Sequence, residues 1–124
     1  MRILVVEEDR AVREAFKDTL EFFGYEVWDA PQGREALALV RGGVGPVDLV
    51  ISDLITRHMN ALELYTALRD LQADVKMLVV TSYPMPGAGQ TLAAQPGVEW
   101  TTRPISMERL GQEVEMLLRD NGLN

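Results

Sequence analysis

Three carboxylates, a hydroxyl and a cation recur in this chain at matching places, each just after a short apolar run. Ile3-Leu4-Val5-Val6 leads into Glu7-Glu8-Asp9, Leu49-Val50-Ile51-Ser52 into Asp53, and Met77-Leu78-Val79-Val80 into Thr81-Ser82. A fourth stretch, Val98-Glu99-Trp100-Thr101-Thr102, ends on Arg103-Pro104. If these runs are parallel strands of one sheet, their carboxyl ends meet at one edge. Glu8, Asp9, Asp53, Thr81 and Arg103 then share a pocket. Carboxylates gathered that closely repel one another unless a cation lies between them, so the pattern predicts a bound cation as well as a fold.

The elements that must position these residues are legible from periodicity. Short apolar runs separated by helical patterns read as repeated β-α units. After Asp9, the residues Val12, Ala15, Phe16, Thr19, Leu20 and Phe23 fit one helix face, and Gly24 supplies a stop. Tyr25 to Ala30 reads as a strand. Pro31-Gln32-Gly33 is a turn, and Arg34 to Val40 a short helix with Ala36, Leu37 and Val40 inward. Gly42-Gly43-Val44-Gly45-Pro46 reads as a flexible loop. Val47 to Ser52 is a nearly continuous apolar strand, as expected of a sheet covered on both faces.

Asn60 is placed to cap a helix from Ala61 to about Leu71. Met77 to Val80 is a further buried strand. The segment Pro84 to Gly89 has loop chemistry, which leaves only a brief helix over Gln90 to Ala94, ended by Pro96-Gly97. Ser106 is positioned to cap a last helix whose buried stripe is Leu110, Val114, Leu117 and Leu118. Five strands alternating with five helices describe an α/β doubly wound parallel sheet. In such folds ligands sit beyond the carboxyl ends of the strands, at the topological switch point.

Composition narrows the function. The 124 residues suffice for one domain, 1–124, with no output domain expected within that length. Nineteen acids against twelve bases give a net charge of −7, which argues against electrostatic nucleic-acid binding. The absence of cysteine excludes a disulfide framework and a thiolate metal site. No apolar run approaches the roughly 20 residues that span a bilayer, and the N-terminus does not read as a signal peptide. A cytoplasmic location without membrane contact is the simplest expectation. Protein, small-molecule or metal partners remain.

At these residues the chain resembles the receiver domain of two-component response regulators, the CheY-like family. The resemblance covers nearly the whole chain. It rests on Leu4-Val5-Val6-Glu7-Glu8-Asp9, Asp53-Leu54, Thr81-Ser82 and Arg103-Pro104 in a lysine-proline slot. The run from Asp53 to Leu64 looks like the family's Asp-Leu-x-x-Pro-x-Met-Asp-Gly-x-Glu-Leu. The resemblance implies a flavodoxin-like strand order, 2-1-3-4-5. It also implies that Asp53 is the phosphoacceptor, taking its phosphoryl group from a histidine kinase or a histidine phosphotransfer protein. Mg²⁺ would be held by Glu8, Asp9, Asp53 and the backbone carbonyl of Ile55. Thr81 would bind a phosphoryl oxygen beside the small Ser82. Thr81 and Trp100 together would carry the switch to a downstream protein or a fused output domain, and Arg103-Pro104 would be a cis peptide. The implied protein is a signalling module that assists its own phosphorylation and dephosphorylation, not a metabolic enzyme.

Several positions depart from the family pattern. Arg103 replaces a lysine, and the exchange is not conservative: a planar, forked guanidinium stands where a compact ammonium is usual. It can clamp a phosphoryl group. It can also pair with Asp53 and stabilise the unmodified state, which would make the chain a phosphorylation-impaired pseudo-receiver acting as an interaction module. Arg57 and Ala61 replace a usual proline and glycine, so the loop after Asp53 should differ in shape. Ile55 and Tyr83 fall where receivers tune hydrolysis, and their bulk predicts a long-lived phosphoryl group. His58, the sole histidine, is expected to be solvated and without a role. The face around Trp100 and Arg109 is the candidate for partner contact. A small-metabolite phosphatase or phosphotransferase is a weaker alternative, since the expected Asp-x-Asp after the first strand is missing. A flavin carrier is weaker still, because no glycine- or hydroxyl-rich phosphate loop follows that strand.

Overall fold

Alternating side chains on the strands divide the core in two. Leu4, Val6, Val50, Met77 and Val79 face one side of the sheet, whereas Ile3, Val5, Leu49, Ile51, Leu78 and Val80 face the other. This is the period of two along a strand expressed as two hydrophobic layers. A computed structural model of the chain describes residues 1–54, 59–72, 74–82 and 88–119, with 88 described by its backbone alone. The strands are β1 (Arg2–Val6), β2 (Glu26–Ala30), β3 (Leu49–Ser52), β4 (Lys76–Thr81) and β5 (Val98–Thr102). They form one parallel sheet in the order β2-β1-β3-β4-β5, as expected.

The helices are α1 (Arg10–Phe22), α2 (Gly33–Leu39), α3 (Ala61–Leu71), α4 (Ala88–Ala93) and α5 (Met107–Arg119). Phe16 and Leu20 of α1, with Leu110, Val114, Leu117 and Leu118 of α5, cover one face of the sheet. Ala36 and Leu37 of α2, Leu64, Tyr65 and Leu68 of α3, and Leu92 of α4 cover the other. Each large apolar side chain buried this way contributes on the order of 1.5–3 kcal/mol. The caps fall where the sequence puts them. Asn60 accepts from Glu63 N–H at 2.8 Å while Glu63 accepts from Asn60 N–H at 3.1 Å, a complete capping box. Ser106 Oγ accepts from Arg109 N–H at 3.0 Å.

Four expectations are corrected. Ala15 is exposed and Phe23 is half exposed, because the buried stripe of α1 follows the four-residue spacing Val12, Phe16, Leu20 and leaves both at its margin. Phe23 instead lies against Gly111 of α5, where an added Cβ would stand 2.5 Å from its ring. Tyr25 is not in β2; its N–H returns to Leu20 O in the turn that Gly24, at φ +96°, closes after α1. The glycine-rich stretch after α2 is wound into a turn over Val40–Val44 that breaks at Gly43, whose φ of +98° is not helical. The carbonyls of Val44 and Pro46 then close on the Arg2 guanidinium, and Gly45, at φ +96°, permits that approach. Finally, β3 begins at Leu49, two residues later than expected, although Asp48 N–H already bonds Arg2 O at 2.8 Å.

Candidate functional site

The carboxyl ends of β1, β3, β4 and β5 do meet at one edge. Asp53 follows β3 directly, with Ser52 buried before it and the Ser52 hydroxyl donating to Asp53 O at 2.8 Å. Thr81 ends β4 and is 1% exposed. Its carbonyl accepts the Arg103 N–H at 2.8 Å, which fixes the start of the segment after β5. Arg103-Pro104 is a cis peptide, as the family resemblance implies.

From that anchor the arginine crosses the edge. Its Nη2 stands 3.5 Å from Asp53 Oδ2 and donates to Glu7 Oε1 in a short hydrogen bond. Side-chain exposures are 21% for Arg103, 10% for Glu7 and 30% for Asp53, so solvent screens the three charges only partly. Arg103 Nε is buried and has no hydrogen-bond partner among the described residues. Glu7 is the site residue that the sequence reading passed over. Its Oε2 accepts Asp9 N–H at 3.0 Å, and its carbonyl accepts Arg13 Nη1 at 2.8 Å. Arg13 is itself tied to Asp29 of β2, 3.1 Å away.

The expected members of the cluster are therefore not equivalent. Asp9 is the N-cap of α1: its Oδ1 accepts Val12 N–H at 3.1 Å and the side chain lies at the surface. Glu8 is exposed beside it. Trp100 lies on the same sheet face as its register partner Val79, is 44% exposed, and sits at the free edge of β5. Arg109 is exposed and pairs with Glu113 one turn along, at 3.6 Å. Ile55, Arg57, His58 and Tyr83 lie outside the described residues. Ala61 opens α3 and is fully buried.

The donor set suits magnesium in kind, because Glu7, Glu8 and Asp53 offer only hard oxygen ligands. As arranged, no group of three acids among the described residues is close enough to hold an ion. The cation lodged between Glu7 and Asp53 is Arg103.

A family model described as the response regulator receiver domain matches residues 3–115. The chain belongs to this family. Among curated proteins, this receiver is 35% identical over 122 residues to the response regulator MprA of Mycolicibacterium vanbaalenii, covering 96% of this chain and 51% of that protein. It is 31% identical over 116 residues to the sensor kinase CckA of Brucella abortus, covering 94% of this chain and 12% of that one. The chain thus spans about half the length of MprA and a small part of CckA. Among solved structures, the receiver domain of the hybrid histidine kinase CckA superposes with a TM-score of 0.79 at 29% identity, covering 95% of this chain and 99% of that one. The chemotaxis protein CheY4 of Vibrio cholerae gives 0.83 at 28% identity, covering 94% and 97%. Receivers serve two-component signalling rather than metabolism, and no helix among the described residues of this one is long and apolar enough to cross a membrane.

Proposed function

We propose that this receiver accepts a phosphoryl group on Asp53 from the phosphohistidine of a histidine kinase or phosphotransfer protein and passes the change to a protein partner. The observation that carries the reading is the position of Asp53: directly after buried β3, 30% exposed, and faced by the cation that follows β5. A carboxylate is a competent nucleophile there once its charge is screened. An Asp53 oxygen attacks phosphorus, the new O–P bond forms as the N–P bond breaks, and the donor imidazole leaves with the electron pair. Arg103 is within reach of Asp53 and supplies donors for the charge that the incoming group carries. The Thr81 hydroxyl donates to a phosphoryl oxygen after transfer, with Ser82 small enough not to obstruct it. Trp100, at the edge of β5, relays the change outward.

Magnesium, when bound, neutralises charge on the acceptor and the phosphoryl oxygens. Glu8 and Asp53, with the carbonyl at position 55, would hold it; the capping role of Asp9 argues against a share for that residue. The product is long-lived on the reading of Ile55 and Tyr83 as obstacles to water. Loss of the phosphoryl group within seconds from the isolated, magnesium-loaded protein would contradict that point.

A second reading is favoured by one contact. The Arg103 bridge to Glu7 and Asp53 suits a module held in its unmodified state. One experiment separates the two. Incubated with magnesium and a small phosphodonor, the protein should gain one phosphoryl mass, and Asp53→Asn should not. If no donor produces the adduct and beryllofluoride does not bind, the interaction module becomes the better account.

A further inference from the structure

Two acids at adjacent strand ends, Glu7 and Asp53, need a counter-charge, and this chain provides one of its own. Glu7 has both carboxylate oxygens engaged: Oε1 takes Arg103 Nη2 and Oε2 takes Asp9 N–H. The same nitrogen of Arg103 faces Asp53. One guanidinium nitrogen therefore serves a carboxylate from the end of β1 and another from the end of β3. Only a long side chain reaches both from β5.

We propose that Glu7 is a positioning residue that holds Arg103 across Asp53 as a built-in counter-cation, so that a divalent cation gains Asp53 only by displacing the arginine. Two observations bear on this independently. The ion pairs are largely shielded, so their charge is weakly screened and a second cation beside Asp53 meets repulsion. In addition, the buried Arg103 Nε has no acceptor among the described residues. A buried donor left unmatched is costly, so it is the two carboxylates rather than a complete set of hydrogen bonds that retain the guanidinium. Linkage then runs both ways: whatever Arg103 gains at Asp53 is lost from the apparent affinity for the metal, and metal binding weakens the Arg103–Asp53 contact equally. Glu7 itself is committed to the arginine and contributes to a metal site only when Arg103 is absent.

The inference takes from the proposed function the assignment of Asp53 as the acceptor, and its test is separate from phosphorylation. Magnesium chloride alone is titrated calorimetrically into the full chain and into Arg103→Gln, Glu7→Gln and the double variant. Arg103→Gln should bind magnesium about tenfold more tightly than the unaltered chain, a difference of about 1.4 kcal/mol. In the Glu7→Gln background the same substitution should gain less than about threefold, because the released carboxylate is missing. That coupling is what a merely structural pair would not show. Arg103→Lys, the variant least disruptive to folding, should fall between the two, since the shorter side chain carries its single charged nitrogen less far across the edge toward both acids. Equal affinities in the unaltered chain, Arg103→Gln and Arg103→Lys, no binding in any of them, or a gain independent of residue 7 would overturn the proposal. Tight magnesium binding by Arg103→Gln with no phosphoryl adduct in any variant would instead overturn the reading of Asp53 as acceptor.

Discussion

An acid after a strand can serve the next helix or the space beyond the sheet edge, and its bonds decide which. Asp9 Oδ1 accepts the Val12 N–H, one of the amide groups that the first turn of α1 leaves without an internal partner. Asp9→Ala should therefore lower unfolding free energy by about 1 kcal/mol in urea titrations. Magnesium affinity should stay as it was; a large loss of affinity would restore Asp9 as a ligand. The sequence made the acids at this edge visible as a group but could not rank them, because Glu7, Glu8 and Asp9 are adjacent and equally charged. Ranking needs direction. Glu7 continues the buried line of β1 and turns toward Arg103, Asp9 turns back to its own helix, and Glu8 faces solvent. One signal was available: an arginine in a lysine slot reaches farther, so an acid beyond Asp53 was worth seeking.

The elements themselves were largely readable, since period-two and period-3.6 patterns report burial directly. β5 and α3 match the expected bounds, and the α3 cap was legible as an asparagine three residues before a glutamate. Departures arise where a tertiary contact rather than local pattern decides. Arg2 is the clearest case, because its guanidinium collects Val44 O, Pro46 O and Glu26 and so gathers the glycine-rich stretch against the sheet edge. Hydrogen bonds from Arg2 and from Trp28 Nε1, 2.7 Å away, hold the Glu26 carboxyl below its ordinary value of 4.5. A carboxyl whose folded value is depressed stabilises the fold above its unfolded value and stops doing so as pH falls through the folded one. The melting temperature of the unaltered chain should accordingly exceed that of Glu26→Gln at neutral pH. The gap should narrow below pH 4.5 and close at lower pH. A gap independent of pH would remove the charge from this account.

At the scale of the molecule, the two hydrophobic layers share the same five strands, so damage to one strand is felt on both faces. Leu78, fully buried in β4 between β3 and β5, packs in the layer under α1 and α5. Leu78→Ala should cost about 2–5 kcal/mol by the shift in urea midpoint. That is a large share of the roughly 5–15 kcal/mol that holds such a domain folded. A cost below about 1 kcal/mol would mean the layer closes over the gap. The bond from Asp9 N–H to Glu7 Oε2 has a different consequence. Glu7 is gripped on its other oxygen by Arg103, so the amide at the head of α1 feels what happens to an arginine arriving from the far side of the sheet. In hydrogen-exchange spectra the Asp9 amide should be slow while the arginine holds Glu7, and should quicken when beryllofluoride or excess magnesium draws the arginine away. One backbone proton would then report the condition of the whole edge, without any label attached to it. An exchange rate indifferent to both additions would show that Glu7 keeps its grip on α1 alone.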